Sequence, residues 1–193
     1  MAYTYSEALE QLNILLRDGN VTVAKLEKLV ADTSAKVPQA GPDSIYLLYS
    51  GETQGVRSVD TATDVSNKKR NVLVIDDSPV GLLLRDKRFE YAYFISRRDE
   101  YRATIPGFKD LSLEEQGDIV SRDHQLAISG KDTSGKRITS DSLWDQASKR
   151  FVEEASGSFR ILATDALGFS LFCQTELPPF LKIKTSAFTV SQI

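Results

Sequence analysis

The chain carries one cysteine, Cys173, and one histidine, His124. So far apart in sequence, they argue against a zinc cage or a Cys–His nucleophilic pair, and leave open only a carboxylate site for Mg²⁺ or Ca²⁺. Any catalysis therefore draws on carboxylates, hydroxyls and aromatic rings. Two groupings of those types stand out. Asp76 and Asp77 adjoin at the end of the apolar run Val72–Ile75, just ahead of Ser78 and Pro79. Trp144 and Ser148 lie one helical turn apart, so they project from the same side of a helix, at the edge of its apolar stripe, and such an edge can face a cleft. Taken alone, that pair reads first as a core anchor and a surface hydroxyl.

The elements that must position these groups are legible from spacing. Ala8, Leu9, Leu12, Leu15 and Leu16 recur at helical spacing across residues 5–18; Gly19 and Asn20 interrupt them, and Val23, Leu26, Leu29 and Val30 begin a second run, predicting a helical hairpin. Pro38, Gly41 and Pro42 mark a linker. Ser44–Ser50 is short, apolar and aromatic, as a buried strand is, and a charged, Thr/Ser-rich stretch follows it. Val72–Ile75 is of strand type or a loop leading into a helix, which Asp77 or Ser78 would cap with Pro79 in its first turn. Phe89–Tyr101 reads as helix without a clean period. Ser112 and Glu115 form a capping box that opens a helix towards Ala127. Leu143, Ala147, Phe151 and Ala155 predict an amphipathic helix over 141–155 that stops at Gly157. Phe159–Ala163, Phe169–Gln174 and Phe180–Val190 read as strands that join Ser44–Ser50 in one sheet.

Composition narrows the function class. With 193 residues, 41% hydrophobic and 26% charged, the chain suffices for one core or two small packed lobes. A net charge of −3 with cations scattered among acids leaves no basic stripe for a phosphate backbone, so no nucleic-acid partner is expected. No apolar run approaches the roughly 20 residues that span a bilayer, and the first residues lack the layout of a signal peptide. A soluble protein is expected, one that folds in a reducing compartment or is stable without disulfides, with no membrane partner.

Four segments, in order, resemble the ADP-ribosyl cyclase / cyclic ADP-ribose hydrolase family. Leu47–Ser50 (LLYS) looks like its Leu-Leu-Trp-Ser, with Tyr49 in place of the Trp. Val74–Leu83 (VIDDSPVGLL) is similar to its Thr-Leu-Glu-Asp-Thr-Leu-Leu-Gly-Tyr-Leu, with Asp76 and Asp77 as the paired acids. Leu143–Phe151 (LWDQASKRF) resembles its Trp-to-Ser segment, and Phe172 and Glu176 match a Phe followed four residues later by the family's essential Glu. The likeness covers roughly residues 44–180. Animal members are secreted and disulfide-rich, whereas this chain looks more like compact, cysteine-poor bacterial toxin-type relatives. Gly51 stands where the family has an Arg, so backbone N–H groups or another cation such as Arg57 would meet the diphosphate.

The resemblance implies one catalytic unit over residues 1–193 in an α/β fold. A helical lobe (1–43 and 75–155) would pack on a small, mostly parallel Rossmann-like sheet (44–74 and 156–193), with the active cleft between lobes. It implies an NAD⁺ glycohydrolase or cyclase that breaks the nicotinamide–ribose bond, with NAD as substrate and no cofactor or metal. Nicotinamide carries positive charge in NAD and leaves neutral, so no general acid is needed and one carboxylate suffices. Glu176 would steady the oxocarbenium-like transition state, as in glycoside hydrolysis. Tyr49 and Trp144 would flank the pyridinium ring, worth about 1–2 kcal/mol when desolvated. Asp76, beside Asp77, would bond the carboxamide; Ser50 would approach the diphosphate, Ser148 the ribose phosphate, and Phe172 would line the pocket. Water capture gives ADP-ribose, adenine capture gives cyclic ADP-ribose, and an acid at position 76 favours the hydrolase. The expected role is an NAD-depleting toxin or effector acting in a cytoplasm, reached by a non-classical secretion route, with a cognate immunity protein as partner. Two alternatives stand beside it. One is a catalytically silent nucleotide-binding module. The other is a response-regulator receiver, suggested by NVLVIDDSP, with Asp123 as phosphoacceptor, Thr164 as switch hydroxyl and Lys182 or Lys184 as its lysine. Asp123, however, sits in a helical pattern rather than at a strand end.

Overall fold

The computed structural model describes residues 2–50, 52–53, 56–69, 71–139, 141–155 and 158–163 of the 193. Within them the chain forms a helix-rich α/β protein with seven α-helices and a three-stranded parallel sheet. It divides into two compact units. One comprises the residues up to Ser34 together with Leu82–Trp144; the other comprises Ala35–Gly81 and the residues from Asp145 onward.

The first unit is helical. Helices α1 (Tyr5–Arg17) and α2 (Val23–Asp32) form the expected hairpin; of the periodic positions, Ala8, Leu12, Val23, Leu26, Leu29 and Val30 are buried, Leu9 and Leu15 half-buried, and Leu16 exposed. Thr4 starts α1 through a capping box: its hydroxyl accepts from the Glu7 N–H, while the Glu7 carboxylate accepts from the Thr4 N–H. Gly19, at φ +62°, makes the turn that a side chain would resist. The segment Phe89–Tyr101 becomes α5 (Lys87–Thr104), whose buried residues Phe89, Ala92, Tyr93 and Ser96 do follow a helical stripe. In α6 (Leu113–Ser129) the predicted box forms between Ser112 and Glu115, and Gly130 ends the helix in the left-handed region with its N–H donating to Leu126 O at 2.8 Å.

Polar pairs fix how these helices meet. Tyr93 on α5 donates its hydroxyl hydrogen to Glu27 of α2 at 2.8 Å. Arg97 pairs with Asp123 of α6 at 2.7 Å and lies over the Tyr93 ring. Asp86 accepts from the Arg88 N–H at 2.9 Å and so caps α5; it also pairs with the Arg88 guanidinium and accepts from the Tyr5 hydroxyl at 2.9 Å.

The second unit holds the sheet. Strand order is β4 (Val72–Leu73), β1 (Ile45–Ser50), β5 (Ser158–Ala163), with both pairings parallel and β1 central. A short antiparallel pair, β2 (Glu52–Thr53) and β3 (Val56–Arg57), precedes α3 (Ser58–Lys68). That helix occupies the stretch which reads in sequence only as charged and Thr/Ser-rich. Side chains alternate along β1. Tyr46 turns to one face, its ring against Phe151 of α7 (Leu143–Glu154) at 5.4 Å and against its register neighbour Phe159 at 5.5 Å. Leu47 and Tyr49 turn to the other, packing with Ala62 and Val65 of α3 and with Val72 and Val74. The sheet therefore carries a helix on each face. This explains why β1 is apolar throughout rather than alternating.

The chain passes between the units after Ser34, within α4 (Pro79–Leu84) and within α7. The expected strands Phe169–Gln174 and Phe180–Val190 lie outside the described residues. Among the described residues, no helix is long and apolar enough to cross a membrane.

The cap of α5 yields a stability prediction. The Arg88 guanidinium, ahead of the opposing effect of burial, holds the Asp86 carboxyl down at about 2. A folded value below the unfolded one means that the contribution is present above roughly pH 4 and fades as pH falls towards 2. Asp86→Ala should lower unfolding free energy by about 1–2 kcal/mol at pH 7 in urea titration. The difference from the parent should shrink on titration from pH 4 to pH 2.

Candidate functional site

The sheet's register brings two of the sequence-predicted residues together. Ile45 pairs with Val72 and Tyr46 with Leu73. The same offset of 27 residues carried forward takes Tyr49 to Asp76, and there the Tyr49 hydroxyl donates a short hydrogen bond to Asp76 Oδ2. Both groups lie at the C-terminal ends of parallel strands, the edge at which α/β sheets open to ligands. Asp76 is 6% exposed and Tyr49 half-buried. A carboxylate so placed needs the donors it meets.

The turn that presents Asp76 is tightly specified. After β4 the chain makes a 3-10 turn, Ile75–Asp77, and then enters α4 at Pro79. Ser78, completely buried, satisfies this junction twice: its hydroxyl donates to Ile75 O at 2.6 Å and accepts from the Gly81 N–H at 3.1 Å. Of the two capping candidates read from sequence, Ser78 is the one used, with Pro79 at the first helical position. A Cβ on Gly81 would run into the Ile75 carbonyl oxygen and stand 3.0 Å from Asp76 Cα, so only glycine lets the helix close onto the turn. Asp77, half-buried, turns to α3 and accepts from the Ser66 hydroxyl at 2.5 Å. The adjacent acids thus differ in partner: one meets the strand-end tyrosine, the other a helix serine. Sequence reasoning missed Ser66 with the rest of α3, although Val59, Ala62 and Val65 recur there at spacings of three.

The remaining residues fall as follows. Ser50 ends β1, in register with Ala163. Ser148 is fully buried in α7, and its hydroxyl meets no partner among the described residues. Phe172 and Glu176 lie outside the described residues, as do Thr164, Lys182 and Lys184. Asp123 lies within α6, paired with Arg97, and not at a strand end.

Trp144, the second residue of α7, lines a cleft of about 980 Å³ in the first unit. The chain's one histidine lines it too. His124 stands between Phe94, edge-on at 5.7 Å, and the Tyr93 ring, also at 5.7 Å. Burial, more than the opposing pull of the Glu90 carbonyl, depresses its pKa, so the ring is neutral near pH 7. Its Nε2 lies 3.2 Å from Glu90 O. A carbonyl oxygen only accepts, so Nε2 carries the proton and Nδ1 keeps the lone pair. This cleft was not legible in sequence, where His124 reads only as an isolated ring.

Two substitutions test the turn and the pair. Gly81→Ala gains about 1 kcal/mol of helix propensity but overpacks a site where that costs about 1–3 kcal/mol, so a net drop in the urea midpoint is expected. Tyr49→Phe removes a donor from a buried carboxylate and should cost about 1–3 kcal/mol by the same measurement.

No protein-family model matches this chain, and neither a curated protein nor a solved structure shows significant similarity to it.

Proposed function

We propose that the chain is an NAD⁺ glycohydrolase with ADP-ribosyl cyclase character, cleaving the nicotinamide–ribose bond. The observation that carries this reading is the hydrogen bond from Tyr49 to Asp76. The residues that the family resemblance assigns to the nicotinamide end meet across 27 residues of sequence at the C-terminal edge of a parallel sheet. In the same reading the three described strands are the centre of a Rossmann-like sheet.

Under this proposal Tyr49 holds the Asp76 carboxylate in place, and Asp76 in turn orients the nicotinamide carboxamide. Trp144 stacks on the pyridinium ring and Ser50 serves the phosphates, whereas the fully buried Ser148 is left out of the site. Glu176 steadies the ribosyl cation as the neutral pyridine departs. Water then attacks the anomeric carbon and gives ADP-ribose, while attack by the adenine ring gives the cyclic product. The acid at position 76 favours water. Such an activity drains NAD from any cytoplasm that holds it, which suits a toxin or effector matched by an inhibitor protein.

Incubation of the protein with NAD, followed by chromatography, should yield nicotinamide with ADP-ribose in excess over cyclic ADP-ribose. Glu176→Gln should lower turnover on the order of a hundredfold or more while NAD binding stays measurable by calorimetry. Unchanged turnover in that variant, or absence of nicotinamide release from the parent protein, would sink the assignment.

A further inference from the structure

The cleft that Trp144 and His124 share lies within the first unit and is walled by aromatic rings. Trp144 and Phe94 are half-buried along it, and Tyr91, one turn before Phe94 on α5, is 67% exposed. The faces of such rings attract cations. Under the proposal that Trp144 stacks on the pyridinium ring, on which this inference rests, the ring enters as a cation and leaves as neutral nicotinamide. A charge in the cleft therefore acts on the substrate and not on the product.

The cleft's permanent charges are already engaged. Glu90, the one carboxylate among the described lining residues, pairs with Lys87 at 3.0 Å, and Arg85 has an interaction of its own. Around His124, Arg97 pairs with Asp123 at 2.7 Å, and the Tyr93 hydroxyl donates to Glu27 at 2.8 Å. Of the side chains that line the cleft, only the imidazole is of a type that changes charge between about pH 5 and 8.

Its geometry fixes where that charge arises. The ring stands between Tyr93 and Phe94, each at 5.7 Å, and Nε2 donates to Glu90 O at 3.2 Å. Nδ1 bonds no described residue and is the atom left to take a second proton. Protonation there sets a full positive charge in the cleft with no unengaged carboxylate among the described lining residues to offset it. Two like charges repel more strongly in a partly desolvated cleft than in water. Burial moves the change of charge below the ordinary value of 6.5.

We infer that His124 determines the charge this cleft accepts: as the uncharged imidazole it admits the pyridinium ring beside Trp144, and as the imidazolium it repels that ring. The site thus takes its cationic substrate in neutral surroundings and loses it in acid ones, while the neutral product is held equally in both.

Because Trp144 is the chain's one tryptophan, quenching of its fluorescence reads ligand entry at this cleft. The probes are 1-methylnicotinamide, a permanent pyridinium cation, and nicotinamide, uncharged over the range used. Between pH 7.5 and pH 4.5 affinity for the cation should fall at least about threefold, whereas affinity for nicotinamide should stay constant. His124→Gln keeps an amide donor for Glu90 O and cannot be protonated, so its affinity for the cation should be the same at both ends of the range, with far-UV circular dichroism as the folding control. The parent protein decides the matter even where the variant does not fold: an equal response of cation and neutral ring to pH, or no quenching by either, overturns the inference. A pH dependence retained by folded His124→Gln overturns it too. Nicotinamide release from NAD at pH 7.5 reads the glycohydrolase separately. Its absence beside an acid-induced loss of cation binding would remove that reaction and leave the role of His124 standing.

Discussion

The parallel register between β1 and β4 is the constraint from which the candidate site follows. Two ladder pairs, Ile45 with Val72 and Tyr46 with Leu73, set an offset that carries through to Tyr49 and Asp76. A slip of one residue would turn Tyr49 to the opposite face and break its hydrogen bond to Asp76. Packing enforces the register from both sides. Tyr46 is held between Phe151 and Phe159 on one face, while Leu47 and Tyr49 are seated on Ala62 and Val65 on the other. Burying the strand on both faces is therefore what makes a two-residue partner strand sufficient.

The short path from β4 into α4 shows how local chemistry supports that register. Ser78 serves both as acceptor for the first turn of α4 and as donor to the 3-10 turn before it, so one hydroxyl ties the acid-bearing turn to the helix that follows. Gly81 lets that helix approach to a distance no side chain permits. Together they leave the backbone around Asp76 little freedom. A site built on strand ends with such support is held more precisely than one on an open loop.

The first unit relies on a different device. Its helices meet through polar groups set among aromatics: Tyr93 bonded to Glu27, Arg97 paired with Asp123, and His124 between Tyr93 and Phe94. Burial, foremost, and the Glu27 carboxylate raise the Tyr93 phenol well above its ordinary pKa, so it stays a donor across the physiological range. Groups of this kind specify one helix pairing over others, because any alternative leaves a buried donor or charge without its partner. Asp123, which a sequence motif search can mistake for a phosphoacceptor, instead has this structural task.

Sequence alone determined those features that rest on local chemistry. The capping box at Ser112 and Glu115, the Ser78–Pro79 helix start, the hairpin broken at Gly19 and the buried strand at Ser44–Ser50 all depend on contacts a few residues apart or on a simple period. The stripe of α5 was obscured because charged and aromatic residues alternate around it, and α3 was missed because its apolar positions are few and small among serines, threonines and acids. What only the tertiary structure decided were the partners of polar side chains. Asp76 with Tyr49, Asp77 with Ser66, the sealed Ser148 hydroxyl and the cleft shared by Trp144 and His124 all bring together groups from distant segments. Such pairings are set by strand register and by which faces are buried, quantities to which every residue of a packed unit contributes and which no single stretch of sequence contains.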